Sequence, residues 1–168
     1  MDRPHRVVPE PIGPGQESVW DYPRPPRLQR VEARIDVVLG RVTVAASDVA
    51  FRVLETSHPP TYYLPPDAFV PGALTPAPGR SVCEWKGVAS YGDLTGGGRV
   101  APRAAWWYAH PTHAFAAIAG WPSVMPALVD GCHVNGERVT PQPGGFYGGW
   151  ITSSVVGPFK GGPRTLGW

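Results

Sequence analysis

The chain has 168 residues, a formal charge of +2, 22 prolines and 21 glycines, and only 17% of its residues are charged. So small a charge leaves no electrostatic footprint for nucleic acid. No apolar run reaches the ~20 residues of a membrane helix, and the start, MDRPHRVVPEP, has no apolar stretch like that of a secretory leader. The expectation is one cytoplasmic domain with no nucleic-acid or membrane partner, built of short strands and turns because proline and glycine interrupt it so often.

In chain order, residues 1–29 are proline-rich and read as an arm, with Trp20 and Tyr22 as aromatic anchors. From Val31 the stretch VEARIDVVLGRVTVAASDVAFRVLE alternates Ala33, Ile35 and Val37, turns at Gly40, and resumes through Val42, Val44, Val49, Phe51 and Val53. This predicts a meander of two or three strands. Between Pro60 and Pro65 there is room only for a short extended piece at Tyr62, Tyr63 and Leu64. TPAPG reads as a turn. Ser81 to Leu94 reads as one strand, with Glu84 and Lys86 on one face and Cys83 and Trp85 on the other.

TGGG predicts a further turn, RVAPRAAWWYAHP another extended run, and THAFAAIAGW a short helix opened by a threonine. Asn135-Gly136, between Cys132-His133-Val134 and Glu137-Arg138-Val139, is a strong hairpin signal. The last stretch, 141–168, is glycine-rich yet carries Phe146, Tyr147, Trp150, Phe159 and Trp168, so it is expected to pack on the body. The chain thus divides into an arm (1–29), a mainly β core (30–140) and a C-terminal extension (141–168).

No phosphate loop, zinc-protease motif or nucleophile elbow is present, and Cys83 and Cys132 are too few for a paired-knuckle zinc site. No metal and no cofactor are expected. What remains is a polar set. Glu55, His58 and Glu84 are candidates for proton transfer, and Cys83, Trp85, Lys86, Tyr91 and Trp107 for the wall of a small-molecule pocket. Lys86 is one of only two lysines, the other being Lys160. Lysine is scarce, so arginine does the solvating here.

The stretches ETSHPPTYYLPPD, CEWKGVASY, AAWWYAHP and AIAGW together resemble the bacterial family called domain of unknown function 427, in an actinobacterial branch. The resemblance rests on C-x-x-K-G-x-A-x-Y at Cys83, Lys86, Gly87, Ala89 and Tyr91, and on A-W-x-Y-x-x-P at Ala105, Trp106, Tyr108 and Pro111. Ile118 and Gly120 match a third motif, and the likeness covers residues 31 to 139. It implies a compact β-tent domain without an established activity. The nucleotidyltransferase-like label sometimes given to the family is not carried over, because the glycine-serine loop and aspartate pair of that chemistry are missing. Where many members have a tryptophan after the motif tyrosine, this chain has Gly92, which removes a pocket wall or opens the pocket.

The leading expectation is a metal-independent small enzyme in which Glu55, His58 or Glu84 moves a proton while Lys86 and Tyr91 hold a carbonyl or carboxylate. The alternatives are a binding module with the same pocket and no chemistry, or an interaction protein forming a homodimer through its arm and tail.

Overall fold

The computed structural model describes residues 6–168, so the first five residues of the predicted arm lie outside the described residues. Its strands are β1 (Glu17–Ser18), β2 (Arg27–Leu39), β3 (Val42–Leu54), β4 (Thr61–Tyr63), β5 (Leu74–Cys83), β6 (Gly87–Gly96) and β7 (Arg99–Trp107). They continue with β8 (Ser123–Val124), β9 (Gly131–Val134), β10 (Glu137–Arg138), β11 (Thr140–Pro141), β12 (Trp150–Ile151) and β13 (Val155–Val156). Nine of them form one antiparallel sheet in the order β10-β9-β2-β3-β4-β8-β7-β6-β5. The protein is mainly β, and among the described residues only short 3-10 turns are helical.

Alternation explains the two longest strands. In β2, Ile35, Val37 and Leu39 are all buried, and the side chains between them face outward. The sheet folds over on itself, so β2 and β3 pack against β6 as well as against each other. The space between the layers is filled by Ile35, Val37, Leu39, Val44, Leu64, Leu94, Val124 and Trp150. Where the layers meet, the β2–β3 turn touches the β6–β7 turn. A Cβ on Gly40 (φ 62°) would collide with the Gly96 carbonyl, and one on Gly97 (φ 54°) with the Gly40 carbonyl. Both positions therefore demand glycine for backbone conformation and for space.

The predicted Asn135-Gly136 hairpin is present as β9–β10, with both turn residues at positive φ (50° and 81°). The segment 81–94 differs from expectation. It is a hairpin, β5–β6, and Glu84, Trp85 and Lys86 form its turn. Two features break the strand there. Gly87 sits at φ 107°, and Thr112 takes the Trp85 carbonyl with its hydroxyl (2.6 Å) and the Lys86 carbonyl with its backbone N–H (3.0 Å).

Thr112 is thus the tether of this turn and makes no side-chain cap bond to the 3-10 turn His113–Ile118 that it opens. The expected TPAPG turn is absorbed into β5, where a bulge between Ala77 and Arg80 contains Gly79 at φ 102°. Two prolines, Pro76 and Pro78, lie in this strand, which is one of the two edges of the sheet.

The tail runs along the body. β13 pairs in parallel with β1, β11 pairs antiparallel with β12, and the Trp20 indole N–H donates to the Pro158 carbonyl at 2.8 Å. Gly92 does not open a space. Its position is covered by the Leu74 side chain and the Trp107 ring, which would meet an added Cβ at 2.7 and 2.8 Å.

Candidate functional site

Strand β4 is short and sends neighbouring tyrosines to opposite faces, as pleating requires. Tyr62 enters the core and stacks on Trp150. Tyr63 enters a second cluster with Val53, Ala89, Tyr108, Phe115 and Ile118, against which Cys83, Trp85 and Trp106 are half-buried. The Tyr63 ring lies 6.4 Å from those of both Trp106 and Tyr108. Its hydroxyl is fully buried and makes no hydrogen bond of normal geometry among the described residues, although the Trp106 and Tyr108 side chains lie close enough to act on it, and neither does that of Ser123, its cross-strand neighbour. Burial pushes the Tyr63 and Tyr108 phenols well above their ordinary range. Both hydroxyls therefore keep their protons and can donate.

Above this cluster stands the Glu84–Lys86 turn. The Lys86 ammonium lies 5.6 Å from the centre of the Tyr108 ring, and Cys83 and Lys86 both act on the Tyr108 hydroxyl. Among the described residues, Lys86 has no carboxylate within 4 Å. A half-buried ammonium held over an aromatic face without a counter-charge is set up to receive an oxygen ligand.

His58 follows Ser57, which has φ 73° and is buried. The Gln142 amide fixes the histidine's tautomer. Its Oε1 accepts from the Gly149 N–H (3.0 Å), so its Nε2 donates, to the Lys160 carbonyl (2.8 Å) and to His58 Nδ1 (3.1 Å). His58 Nδ1 is then an acceptor and Nε2 carries the hydrogen, facing Glu55 Oε2 at 3.7 Å. Burial, followed by the charges of Lys160, Arg24 and Lys86, lowers the imidazole from its ordinary 6.5 to about 4. It is neutral at pH 7. The Tyr147 ring meets it edge-on at 4.7 Å, and Lys160 lies 5.6 Å from the Tyr147 centroid.

The fold therefore brings together Cys83, Trp85, Lys86 and, within electrostatic reach, His58. Others stand apart or are engaged. Glu55 is paired with Arg24 at 3.2 Å. Glu84 is exposed in the turn and does not share a face with Lys86. The Tyr91 hydroxyl is bonded to Ser81 (2.6 Å), and its ring is covered by the Arg103 guanidinium at 4.1 Å. Trp107 packs over Gly92, and it is Trp106 that faces Tyr63.

Sequence reading missed Tyr63, Tyr108, Gln142, Tyr147 and Lys160 as members of the site. The rarity of lysine was the one available signal for Lys160. Two surface cavities lie elsewhere. One, of about 530 Å³, is laced by ion pairs of Arg30 and Arg34 with Glu32, Asp36 and Asp48. The other, of about 310 Å³, lies between arm and body and is lined by Glu17, Asp21, Tyr22 and Arg27.

No curated protein matches the chain. A family model described as Domain of unknown function (DUF427) matches residues 27–135. That segment runs from the first residue of β2 to the turn of the β9–β10 hairpin and holds the Lys86 turn, Tyr63, Trp106, Tyr108 and His58. Gln142, Tyr147 and Lys160 lie beyond it. With well over half of its length matched, the chain belongs to the DUF427 family.

Proposed function

We propose that this chain is a small-molecule-binding β domain whose ligand presents a carbonyl or carboxylate oxygen to Lys86 above Tyr63, Tyr108 and Trp106. One observation carries the reading: among the described residues, an ammonium with no carboxylate within 4 Å stands over a cluster whose central hydroxyl, on Tyr63, is buried and lacks a hydrogen bond of normal geometry. A buried donor without an acceptor costs about 1–3 kcal/mol, and a hydrogen bond to a charged group contributes about 1.5–3 kcal/mol. A ligand oxygen that reached these donors would gain on both counts.

Binding without chemistry is favoured because the proton carriers are committed. His58 Nδ1 is taken by Gln142 and its Nε2 already bears a hydrogen, Glu55 is held by Arg24, and Glu84 faces solvent. The enzyme reading rests on the 3.7 Å approach of His58 to Glu55, which a bound ligand could tighten into a working pair.

The test is thermal shift and native mass spectrometry with aliphatic and aromatic carboxylates and ketones on the wild type, Lys86→Gln and Tyr63→Phe. A ligand that stabilises the wild type and is lost in folded Lys86→Gln supports the reading. Undiminished binding in Lys86→Gln, or no ligand at all, overturns it. Turnover of a bound ligand that disappears in His58→Gln would make the protein an enzyme.

A further inference from the structure

Both terminal strands of the nine-strand sheet are blunted. β10 offers only Glu137 and Arg138, and β5 carries Pro76, Pro78 and a bulge. A longer open stretch lies inside the sheet. Strand β9 pairs with β2 only at residues 35–38, and Asn135 closes that pairing. Its side-chain oxygen accepts from the Arg34 N–H (2.9 Å), and its own N–H donates to the Arg34 carbonyl (2.7 Å). Before Arg34, β2 has β3 on one side and, among the described residues, no strand on the other. No backbone hydrogen bond reaches residues 28–33 from that open side. The stretch holds no proline, and an open groove of about 530 Å³ lies beside it, lined in part by Arg30, Glu32 and Ala33.

Alternation sorts the side chains of this stretch. Arg30 and Glu32 are exposed on one face. Val31 and Ala33 are half-buried on the other, against the margin of the core. Arg34 is answered by Asp36 (3.1 Å) and Asp48 (3.3 Å), whereas among the described residues Arg30 and Glu32 have only each other, at 3.6 Å.

Such an edge is complementary to itself. When two copies of β2 meet antiparallel about a two-fold axis normal to the sheet, each face continues across the joint, so even-numbered residues oppose even-numbered ones. An axis through Arg30 would set Arg30 against Arg30. One through Glu32 would set Glu32 against Glu32 and Arg30 against Arg34. An axis through Val31 sets Arg30 of each copy against Glu32 of the other, and on the opposite face Val31 against Val31 and Gln29 against Ala33. Of these three registers it is the one that opposes no like charges and pairs unlike ones.

We propose that this edge is the interface of a homodimer, formed by antiparallel pairing of residues 29–33 with the same residues of a second copy in the register centred on Val31. So short a seam makes a reversible dimer. It is independent of the ligand reading above.

The experiment is sedimentation analysis of the wild type, Arg30→Glu, Glu32→Arg, the double exchange Arg30→Glu with Glu32→Arg, and an equimolar mixture of the two single variants, each checked for folding by circular dichroism. The wild type is expected to pass from monomer to dimer between about 1 μM and 1 mM. Each single variant opposes like charges at both symmetric pairs and should dimerise at least about tenfold more weakly. The double exchange restores both pairs and should match the wild type. In the mixture every carboxylate of one variant faces a guanidinium of the other, so a mixed dimer should form at near wild-type strength. Both single variants lose the Arg30–Glu32 pair within the chain, and mixing repairs none of that loss. A wild type that stays monomeric to about 1 mM overturns the inference. So does a dimer that either single variant leaves unweakened, or a mixture no stronger than its components.

Discussion

Tyr62 and Tyr63 are adjacent, yet they enter two differently finished regions. On Tyr62's side the ring stacks on Trp150 at 5.0 Å, and the Trp150 indole N–H donates to the Val124 carbonyl at 3.0 Å. On Tyr63's side a hydroxyl with no exposure makes no hydrogen bond of normal geometry among the described residues, and Lys86, with no carboxylate within 4 Å, stands nearby. The first region is a core, finished by its own side chains. The second leaves donors and charge unanswered, which is the physical difference between a packed interior and a place that awaits something else.

The sharpest way to break this comparison is Trp150→Ala. The side chain is fully buried between the layers, so its removal should cost about 3–5 kcal/mol, read as a lowered midpoint in urea unfolding. An unchanged midpoint would mean that this region is not the structural core.

Next in size is the pH dependence of stability. The unfolded imidazole of His58 protonates near its ordinary 6.5 and the folded one only near 4. As pH falls through that window, the unfolded state binds the proton first and stability drops. At about 1.4 kcal/mol per pH unit the loss approaches 3 kcal/mol by pH 4. His58→Gln should flatten this fall, and a profile equally steep in the variant would show that His58 is not its source.

A smaller contrast separates two left-handed glycines. Gly40→Ala should cost at least about 2 kcal/mol, from the backbone penalty plus the collision with Gly96. Gly136→Ala, at φ 81° with nothing near, should cost about 1 kcal/mol. Equal costs would mean that the two turns do not touch. Smallest is Tyr63→Phe, which removes an unanswered hydroxyl. It should leave stability unchanged or raise it by about 1 kcal/mol while weakening ligand binding. A loss of stability would show that the hydroxyl has a partner.

Much of the sheet was legible because its signals are local. Ile35, Val37 and Leu39 alternate into the core, and Asn135-Gly136 supplies the backbone its hairpin needs. The β5–β6 turn was hidden because CEWKG continues an alternating pattern straight through it. What breaks the strand is Thr112, a residue far along the chain that captures two of the turn's carbonyls.

The site was legible in part for the same reason. Cys83, Trp85 and Lys86 stand together in sequence, whereas Gln142 reaches His58 across 84 positions. No periodicity announces a partner that only tertiary packing delivers.

The free edge at β5 has a consequence for how the protein behaves at high concentration. A sheet of nine strands that ends in a ten-residue edge would normally recruit a further strand from another chain and grow. Pro76 and Pro78 remove two amide donors from that edge, and the bulge at Ala77–Arg80 bends what remains. The prolines that made this sequence look poorly suited to regular structure thus guard its one large sheet against aggregation.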